Sequence, residues 1–167
     1  MNGIYLLLGS NLGDSVKMLS RAIEEIRMHI GTIVKTSSIY KTSAWGIEDQ
    51  PDFLNQALEV DSDLNPQMLL DKINEIELQL GRIRYEKWHE RIIDIDILYY
   101  GDQIVNNPGL SIPHPENQNR NFVLAPMAEI APQFIHPILR LTQISLLKNS
   151  RDPLSVERVI DKKRPAP

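Results

Sequence analysis

The sequence of 167 residues contains no cysteine, and aromatic residues make up only 6% of it. Without thiols, the chain has no disulfides, cysteine-ligated zinc, iron–sulfur clusters or thiolate nucleophile. Its longest apolar runs, such as Ile4–Leu8, are far shorter than the roughly 20 residues of a membrane-spanning helix. The residues Met1-Asn2-Gly3 offer neither a basic region nor a cleavage site, so we expect no signal peptide, no membrane partner and a cytoplasmic protein.

The composition is that of an ordinary folded domain. Hydrophobic residues make up 42% and charged residues 24% of the chain, which excludes a disordered protein. The net charge of −4 argues against a surface devoted to nucleic acid. The length fits one domain, which we place at residues 1–160, followed by a disordered basic tail at 161–167.

The apolar pattern predicts the order strand, helix, strand, strand, helix, strand. The predicted strands are Ile4–Gly9, Thr32–Thr42, Phe53–Val60 and Ile92–Tyr100. The first helix is expected to start at Asp14 or Ser15 and the second at Asn65-Pro66, with Gly31 and Gly81 ending them. This order is typical of a ferredoxin-like βαββαβ sandwich, an α+β fold with an antiparallel sheet and helices on one face. Two C-terminal helical additions are predicted, at about Arg120–Ile130 and Leu141–Lys148.

The last predicted strand carries two aspartates, Asp94 and Asp96. Side chains alternate along a strand, so both carboxylates share one face, with Cα atoms about 6.5–7 Å apart. Like charges repel in this arrangement, and divalent cations would relieve the repulsion. The pair therefore predicts a magnesium site for phosphoryl transfer, with a solvated sheet face as the alternative.

A basic segment precedes the aspartates. Arg82, Arg84, Lys87 and Arg91 lie within ten residues, together with Trp88. Arginine donates paired hydrogen bonds to phosphate oxygens, and an indole ring can cover a base. Beside a metal-binding pair, this segment is typical of a polyphosphate site. The alternative is a solubilising loop that two neighbouring glutamates partly neutralise.

Two further segments have weaker signals. His114 and Arg120 could reach a phosphate or ribose, although a lone histidine is more often an ordinary surface or core residue. The glycine-rich loop Gly9–Gly13 lacks the lysine of a P-loop and the spacing of a dinucleotide-binding loop. We interpret it as a tight turn between strand and helix.

Several short motifs occur in one order along the chain: Gly9-Ser10-Asn11, Gln50–Asn55, Gly81–Arg84, Trp88, Arg91 with Asp94–Ile97, and Pro113-His114 with Arg120. Together they closely resemble the 6-hydroxymethyl-7,8-dihydropterin pyrophosphokinase family of the folate pathway, from about Ile4 to Ile130. The resemblance implies transfer of the pyrophosphoryl group of ATP to the primary hydroxyl of the pterin, with release of AMP. It implies two Mg²⁺ ions, ATP and the pterin as small-molecule partners, and a monomer.

The resemblance also assigns site residues. The expected catalytic residues are Arg82, Arg91, Asp94 and Asp96, of which Asp94 and Asp96 would hold the metal. The expected ATP contacts are Leu70, Asn74, Glu77, Arg84, Trp88, Ile97, Ser111, His114 and Arg120. The expected pterin contacts are Thr42, Ser43, Trp45, Phe53, Asn55 and Phe122, with the ring stacked between the two phenylalanines. Taken without the resemblance, core positions are favoured for both phenylalanines.

The chain departs from the family pattern at three places. His89-Glu90 stands where the family commonly has Gly-Pro, which changes the stiffness of the loop and adds an acid beside Arg91. Phe53 replaces a frequent tyrosine, so the stack would keep its ring and lose a hydroxyl. Pro115 stands where some members place an aromatic that contacts ATP.

Two other functions remain open on sequence grounds. A nucleotidyltransferase also uses paired aspartates on such a sheet, and would release pyrophosphate in place of AMP. An RNA-binding module would need exposed aromatics on the central strands and a basic face. The aspartates and the acidic net charge argue against RNA binding.

Overall fold

The computed structural model describes residues 3–43, 51–82 and 92–159. The four helices in these ranges are α1 (Ser15–His29), α2 (Pro66–Gln79), α3 (Asn121–Ile130) and α4 (Gln143–Lys148). The strands are β1 (Ile4–Ser10), β2 (Thr32–Thr36), β3 (Tyr40–Thr42), β4 (Phe53–Asp61), β5 (Asp94–Tyr100), β6 (Val105–Asn107), β7 (Leu110–Ile112) and β8 (Glu157–Arg158). Within the described ranges, no helix combines the length and the apolarity that crossing a membrane requires.

An antiparallel sheet forms the centre of the fold, as predicted. Its strand order is β5-β1-β4-β3-β8, β2 also pairs with β4, and β6 and β7 form a separate hairpin. Every residue of β1 is buried, which fits the prediction of a central strand from its continuous apolar run. Asp14 accepts a hydrogen bond from the amide of Lys17 and Asn65 one from the amide of Met68, so both helix starts are capped where the sequence indicated.

The predicted strand Thr32–Thr42 is wrong as a single strand. It is divided into β2 and β3, with Ser37 buried between them. The Ser37 amide donates to the carbonyl of Ala57, and its hydroxyl accepts from the amide of Ala57, each at 2.9 Å. The Gln56 side-chain amide donates to the Ser37 carbonyl at 2.8 Å. The Ser37 hydroxyl thus accepts the Ala57 amide in place of a backbone carbonyl of the sheet, and this interrupts the strand.

Helices cover both faces of the sheet. On one face, α1 and α2 pack on residues of β1, β4 and β5 that include Leu6, Leu58 and Ile95. On the other face, α3 packs through Val123 and Met127 on a smaller cluster. The C-terminal helical additions therefore form a second layer, and the cavity described below lies on their side of the sheet.

A β-bulge divides β5. Leu6 pairs with Ile97 and Tyr5 pairs with Tyr99, which leaves Leu98 as an extra residue. The carbonyl of Leu98 accepts hydrogen bonds from the amide of His114 at 3.0 Å and from the side chain of Asn117 at 2.9 Å. Residues from 114 to 117 are thereby fixed beside the edge of β5, close to its acidic end.

Candidate active site

A cavity of about 640 Å³ opens on the α3 side of the sheet. Its floor is formed by β1, β4 and β5, and its walls by the start of α3 and the C-terminal segment. It is lined by Leu7, Gly9, Thr42, Ser43, Phe53, Asn55, Asp94, Asp96, Glu116, Asn119, Arg120, Phe122, Arg151, Asp152, Pro153 and Leu154. A volume of this size is typical of small-molecule sites.

The polar groups of the cavity floor lie in one row of paired residues that crosses the sheet. Gly9 on β1 pairs with Asp94 on β5 and with Asn55 on β4. Paired residues point to the same face, so the carboxylate and the amide flank the glycine. Two strand spacings place Asp94 and Asn55 about 10 Å apart. Leu7, two residues from Gly9, is paired with Asp96 and continues the floor.

Two aromatic side chains face the cavity, Phe53 at the start of β4 and Phe122 in the first turn of α3. Both are half-buried. The guanidinium carbon of Arg120 lies 5.6 Å from the centroid of the Phe122 ring, within cation–π range. Both rings therefore border the cavity, and Phe122 also packs against the apolar cluster on this side of the sheet.

An ionic cluster joins the end of α2 to the acidic end of β5. Arg82 forms ion pairs with Glu77 and, at 2.9 Å, with Asp94. The side chains of Glu77, Arg82 and Asp94 are 3%, 19% and 23% exposed, so burial increases from Asp94 towards Glu77. Glu77 also accepts a hydrogen bond from the amide of Ile95 at 3.0 Å. Burial raises the pKa of Glu77, and Arg82 and the Ile95 amide oppose that rise. The cluster fixes the direction of the Asp94 carboxylate.

His114 also lies beside the edge of β5, where its amide donates to the carbonyl of Leu98. Its ring nitrogen Nδ1 accepts a hydrogen bond from the amide of Glu116 at 3.2 Å. Burial, with a further contribution from Arg120, lowers its pKa, while Glu116 and Asp94 oppose the shift. The neutral imidazole is therefore favoured, and it holds the turn that brings Glu116 to the cavity.

The structure brings together eight of the residues that the sequence predicted. Those at the cavity are Thr42, Ser43, Phe53, Asn55, Asp94, Asp96, Arg120 and Phe122. Three more predicted residues lie around Asp94 but do not line the cavity: Arg82, Glu77 and His114. Ile97 instead packs in the core under α1 and α2. Leu70 is half-buried on α2 against that core, Asn74 is half-buried on the same helix, and Ser111 is exposed on β7. Trp45, Arg84, Trp88 and Arg91 lie outside the described residues, as does the tail at 161–167.

Besides Leu7 and Gly9 on the floor, sequence reasoning missed six lining residues. They are Glu116, Asn119, Arg151, Asp152, Pro153 and Leu154. None of them belongs to a motif, and the last four are remote in sequence from every other part of the site. The hydrogen bond from the Asn121 amide to Asp152 is a tertiary contact that no local pattern encodes.

The turn after β1 has a supporting role, as interpreted from the sequence. Ser10 and Asn11 are buried. The Ser10 hydroxyl donates to the carbonyl of Ile92 at 2.7 Å, and the Asn11 side chain donates to the carbonyl of Pro51 at 3.3 Å. Gly13 adopts a φ of 71°, which favours glycine. This turn therefore ties β1 to the segments that lead into β4 and β5, both of which supply site residues.

The donor set at the acidic end suits a hard cation. In the described part of the chain, no group of three or more histidine, aspartate or glutamate side chains could hold a metal by itself. Asp94 and Asp96 supply oxygen ligands only, beside a cavity that can admit further oxygens. Mg²⁺ is typically bound by one or two carboxylates together with substrate phosphates and water. The residues present therefore fit magnesium that is completed by a phosphorylated substrate.

Aromatic rings and two carboxylates thus line one cavity, as in enzymes that act on small molecules. A sequence model of the 7,8-dihydro-6-hydroxymethylpterin-pyrophosphokinase family matches residues 5–132. The chain belongs to this family, a class of transferases, which confirms the resemblance seen in the sequence.

Curated relatives agree. The 2-amino-4-hydroxy-6-hydroxymethyldihydropteridine pyrophosphokinase of Aquifex aeolicus is 44% identical over 140 residues, covering 84% of this chain and 87% of the relative. The enzyme of the same name from Bacillus subtilis is 44% identical over 135 residues, covering 80% of this chain and 81% of the relative. The enzyme of the same name from Haemophilus influenzae is 42% identical over 134 residues, covering 80% of this chain and 84% of the relative.

Solved structures agree on the fold. A crystal structure of a Plasmodium falciparum HPPK-DHPS triple mutant superposes with a TM-score of 0.72 at 18% identity. The match covers 87% of this chain and 43% of that longer chain. At this identity the likeness shows the fold alone.

Proposed function

We propose that this pyrophosphokinase transfers the pyrophosphoryl group of ATP to the hydroxymethyl group of 6-hydroxymethyl-7,8-dihydropterin, with Mg²⁺ bound at Asp94 and Asp96. Family membership supports the identity of the acceptor, the group that is transferred and the place in folate biosynthesis. The observation that supports the finer assignment is the position of both carboxylates at one end of an aromatic-lined cavity whose floor also holds Asn55.

The row across the sheet favours one orientation of the pterin. Asn55 presents an amide, which can both donate and accept, and so matches the polar edge of a pterin ring. Asp94 lies two strands away on the same face. A pterin lying over Gly9, between Phe53 and Phe122, would direct its hydroxymethyl group towards Asp94 and Asp96. Each stacked ring adds about 0.5–1.5 kcal/mol beyond area burial.

The reaction we assign is an in-line displacement. The hydroxyl oxygen of the pterin attacks the β-phosphorus of ATP, the bond from that phosphorus to the α-phosphate oxygen breaks, and AMP leaves. We assign the hydroxyl proton to the carboxylate of Asp96. When bound, Mg²⁺ would neutralise the charge of the phosphate oxygens and lower the pKa of the hydroxyl. Arg82 orients Asp94 through the contact at 2.9 Å, so that this carboxylate is positioned before the substrates arrive.

ATP would approach at the edge of β5, where Arg120 and His114 meet Asp94. Arg120 brings a permanent positive charge to this side of the cavity, which suits phosphate oxygens. The loop residues Arg84, Trp88 and Arg91, the wall residue Trp45 and the further ATP contacts Leu70, Asn74, Ile97 and Ser111 stay predictions from the resemblance.

Four broader assignments also belong to this proposal. The strand order, with β1 between β4 and β5, supports the ferredoxin-like class. The single domain at 1–160, the cytoplasmic location and the monomeric state stay predictions.

The test is a product analysis with the full chain. We expect AMP and the pterin diphosphate in equal amounts from ATP and hydroxymethyldihydropterin, and no product when EDTA removes divalent cations. Release of pyrophosphate in place of AMP would instead identify a nucleotidyltransferase and refute the proposal.

Substitution of a metal ligand gives the sharper test. Asp96→Asn should lower kcat by roughly 100-fold, equivalent to about 2.7 kcal/mol, because a neutral amide neither binds Mg²⁺ well nor accepts the proton. It should also raise the Mg²⁺ concentration at half-maximal rate. Asp102→Asn, at an exposed turn residue, is the matched control. An unchanged Mg²⁺ dependence in Asp96→Asn would contradict the ligand assignment.

A further inference from the structure

We propose that residues 150–159, here called the C-terminal strap, form a wall of the pterin site, and that Asp152 is a positioning residue for Phe122. This inference rests on the proposed function, because it concerns the pterin half of the same cavity. The strap lies outside residues 5–132, which the family match covers, and contains none of the motifs.

The strap contributes directly to the cavity. Arg151, Asp152, Pro153 and Leu154 are all among the lining residues. Leu154 is half-buried, and Pro153 extends the apolar surface beside it. Phe122 lines the same cavity from α3. A flat ring that stacks on Phe122 therefore meets side chains of the strap at the cavity wall.

Asp152 caps the helix that carries Phe122. The residue before α3 is Arg120, whose side chain makes no capping hydrogen bond. Asp152 supplies the cap from a remote position, since its Oδ2 atom accepts a hydrogen bond from the amide of Asn121 at 2.8 Å. A carboxylate at this place also interacts favourably with the positive end of the helix dipole.

The same carboxylate holds the strap. Its Oδ1 atom accepts a hydrogen bond from the amide of Leu154 at 3.0 Å. In return, the Asn121 side-chain amide donates to the carbonyls of Asp152 at 3.4 Å and Leu154 at 3.1 Å. Asp152 thus joins the strap to the first turn of α3, and Phe122 is the next residue of that turn. The positions of Phe122 and Leu154 are fixed by one group of hydrogen bonds.

The other end of the strap is anchored as well. Glu157 and Arg158 form β8 against β3, and the amide of Val159 donates to the carbonyl of Ile39 at 2.7 Å. Arg158 lies 3.7 Å from Glu129, near the far end of α3. Because the strap is held at both ends, Leu154 is presented to the cavity from a fixed backbone, which is the condition for a specificity-determining wall.

The experiment measures binding of hydroxymethyldihydropterin to the full chain by isothermal titration calorimetry, which reports Kd and the number of competent sites separately. Asp152→Ala should weaken pterin binding by about 5-fold through loss of the cap. Asp152→Asn should stay within about 2-fold of the parent, since asparagine caps helices nearly as well. Asp63→Ala, at an exposed loop residue, is the control.

A second variant tests the wall without touching the cap. Leu154→Trp should weaken pterin binding by more than about 10-fold, because a larger side chain narrows the cavity. The control is Leu139→Ala, at a leucine that is 42% exposed, and it should bind the pterin as tightly as the parent does. The KM for ATP should change by less than about 2-fold in Leu154→Trp.

The outcomes separate this inference from the proposed function. Unchanged pterin Kd in both Asp152→Ala and Leu154→Trp would overturn the inference, even if the parent forms AMP normally. A lower melting temperature or fewer competent sites with an unchanged Kd would show that Asp152 is merely structural and would also overturn it. If the parent binds the pterin but forms no AMP, the proposed reaction fails while the strap effects still stand.

Discussion

Gly9 lies at the floor of the cavity between Asn55 and Asp94, and its lack of a side chain leaves room for the Asn55 amide. A Cβ atom built on Gly9 would lie 2.8 Å from Asn55 Oδ1, closer than Cβ atoms in proteins approach a neighbouring atom. The backbone of Gly9 does not require glycine, because its φ lies outside the left-handed region. Gly9→Ala therefore tests whether the position of Asn55 governs pterin binding.

The magnitude follows from the contact. Asn55 is buried, so it must leave its rotamer to make room, which costs about 0.5–1.5 kcal/mol. A misplaced amide loses hydrogen bonds to the pterin worth about 0.5–1.5 kcal/mol. The sum of about 1–3 kcal/mol corresponds to weaker pterin binding by roughly 5- to 150-fold. The free energy of unfolding should change little, because alanine in a strand gains about 0.5–1 kcal/mol over glycine.

Calorimetric titration with the pterin measures the binding loss, and urea unfolding measures stability. Gly109→Ala is the matched control. Among the described residues other than its chain neighbours, no atom lies within 4 Å of its added Cβ, but its φ of 76° makes the backbone strained. It should lose about 1 kcal/mol of stability and keep its pterin affinity.

A double-mutant cycle identifies the cause. In an Asn55→Ala background, Gly9→Ala should have almost no further effect on pterin binding, because the amide that it displaces is absent. Additive losses would mean that the added methyl group obstructs the ring directly. Unchanged affinity in the single variant Gly9→Ala would refute the reasoning altogether.

Two further predictions concern stability. Arg82→Met should lower the free energy of unfolding by about 3–5 kcal/mol, because it removes a cation that is ion-paired with the buried carboxylate of Glu77. Adding Glu77→Gln should recover more than half of the loss in urea unfolding, and no recovery would contradict this account. Burial lowers the pKa of His136, whose Nδ1 accepts hydrogen bonds from the amides of Ile138 and Leu139, so the fold should lose stability as the pH falls below about 6.5. His136→Asn should make this loss shallower between pH 7.5 and 5.5, and an unchanged slope in this variant would contradict the prediction.

Patterns that recur within a few residues predicted most of the fold. The continuous run at Ile4–Gly9, the caps at Asp14 and Asn65 and the alternation around Asp94 are local, and the structure has each of them. The interruption at Ser37 could not be predicted in this way, because it depends on the Ala57 backbone twenty residues away.

The same distinction applies to the site. Asp94, Asp96 and Asn55 stand in short motifs, and the sheet register brings them to one face. Asp152 and Leu154 have no such signal, since their roles come from contacts with α3 that span about thirty residues. A carboxylate that caps a distant helix looks like any other surface aspartate in the sequence.

The extra residue at Leu98 also decides where two tyrosines reside. Strict alternation from Asp94 and Asp96 would put Tyr100 on the α3 side, but the bulge sends Tyr99 there and returns Tyr100 to the α2 side. Only in this arrangement does the Tyr100 hydroxyl reach the carbonyl of Leu64, at 2.7 Å, while Tyr99 meets the amide of Gln143. A chimera that imports the acidic half of this strand must therefore keep the extra residue at Leu98, because without it the two tyrosines would exchange faces and each hydroxyl would lose its hydrogen-bond partner in the interior.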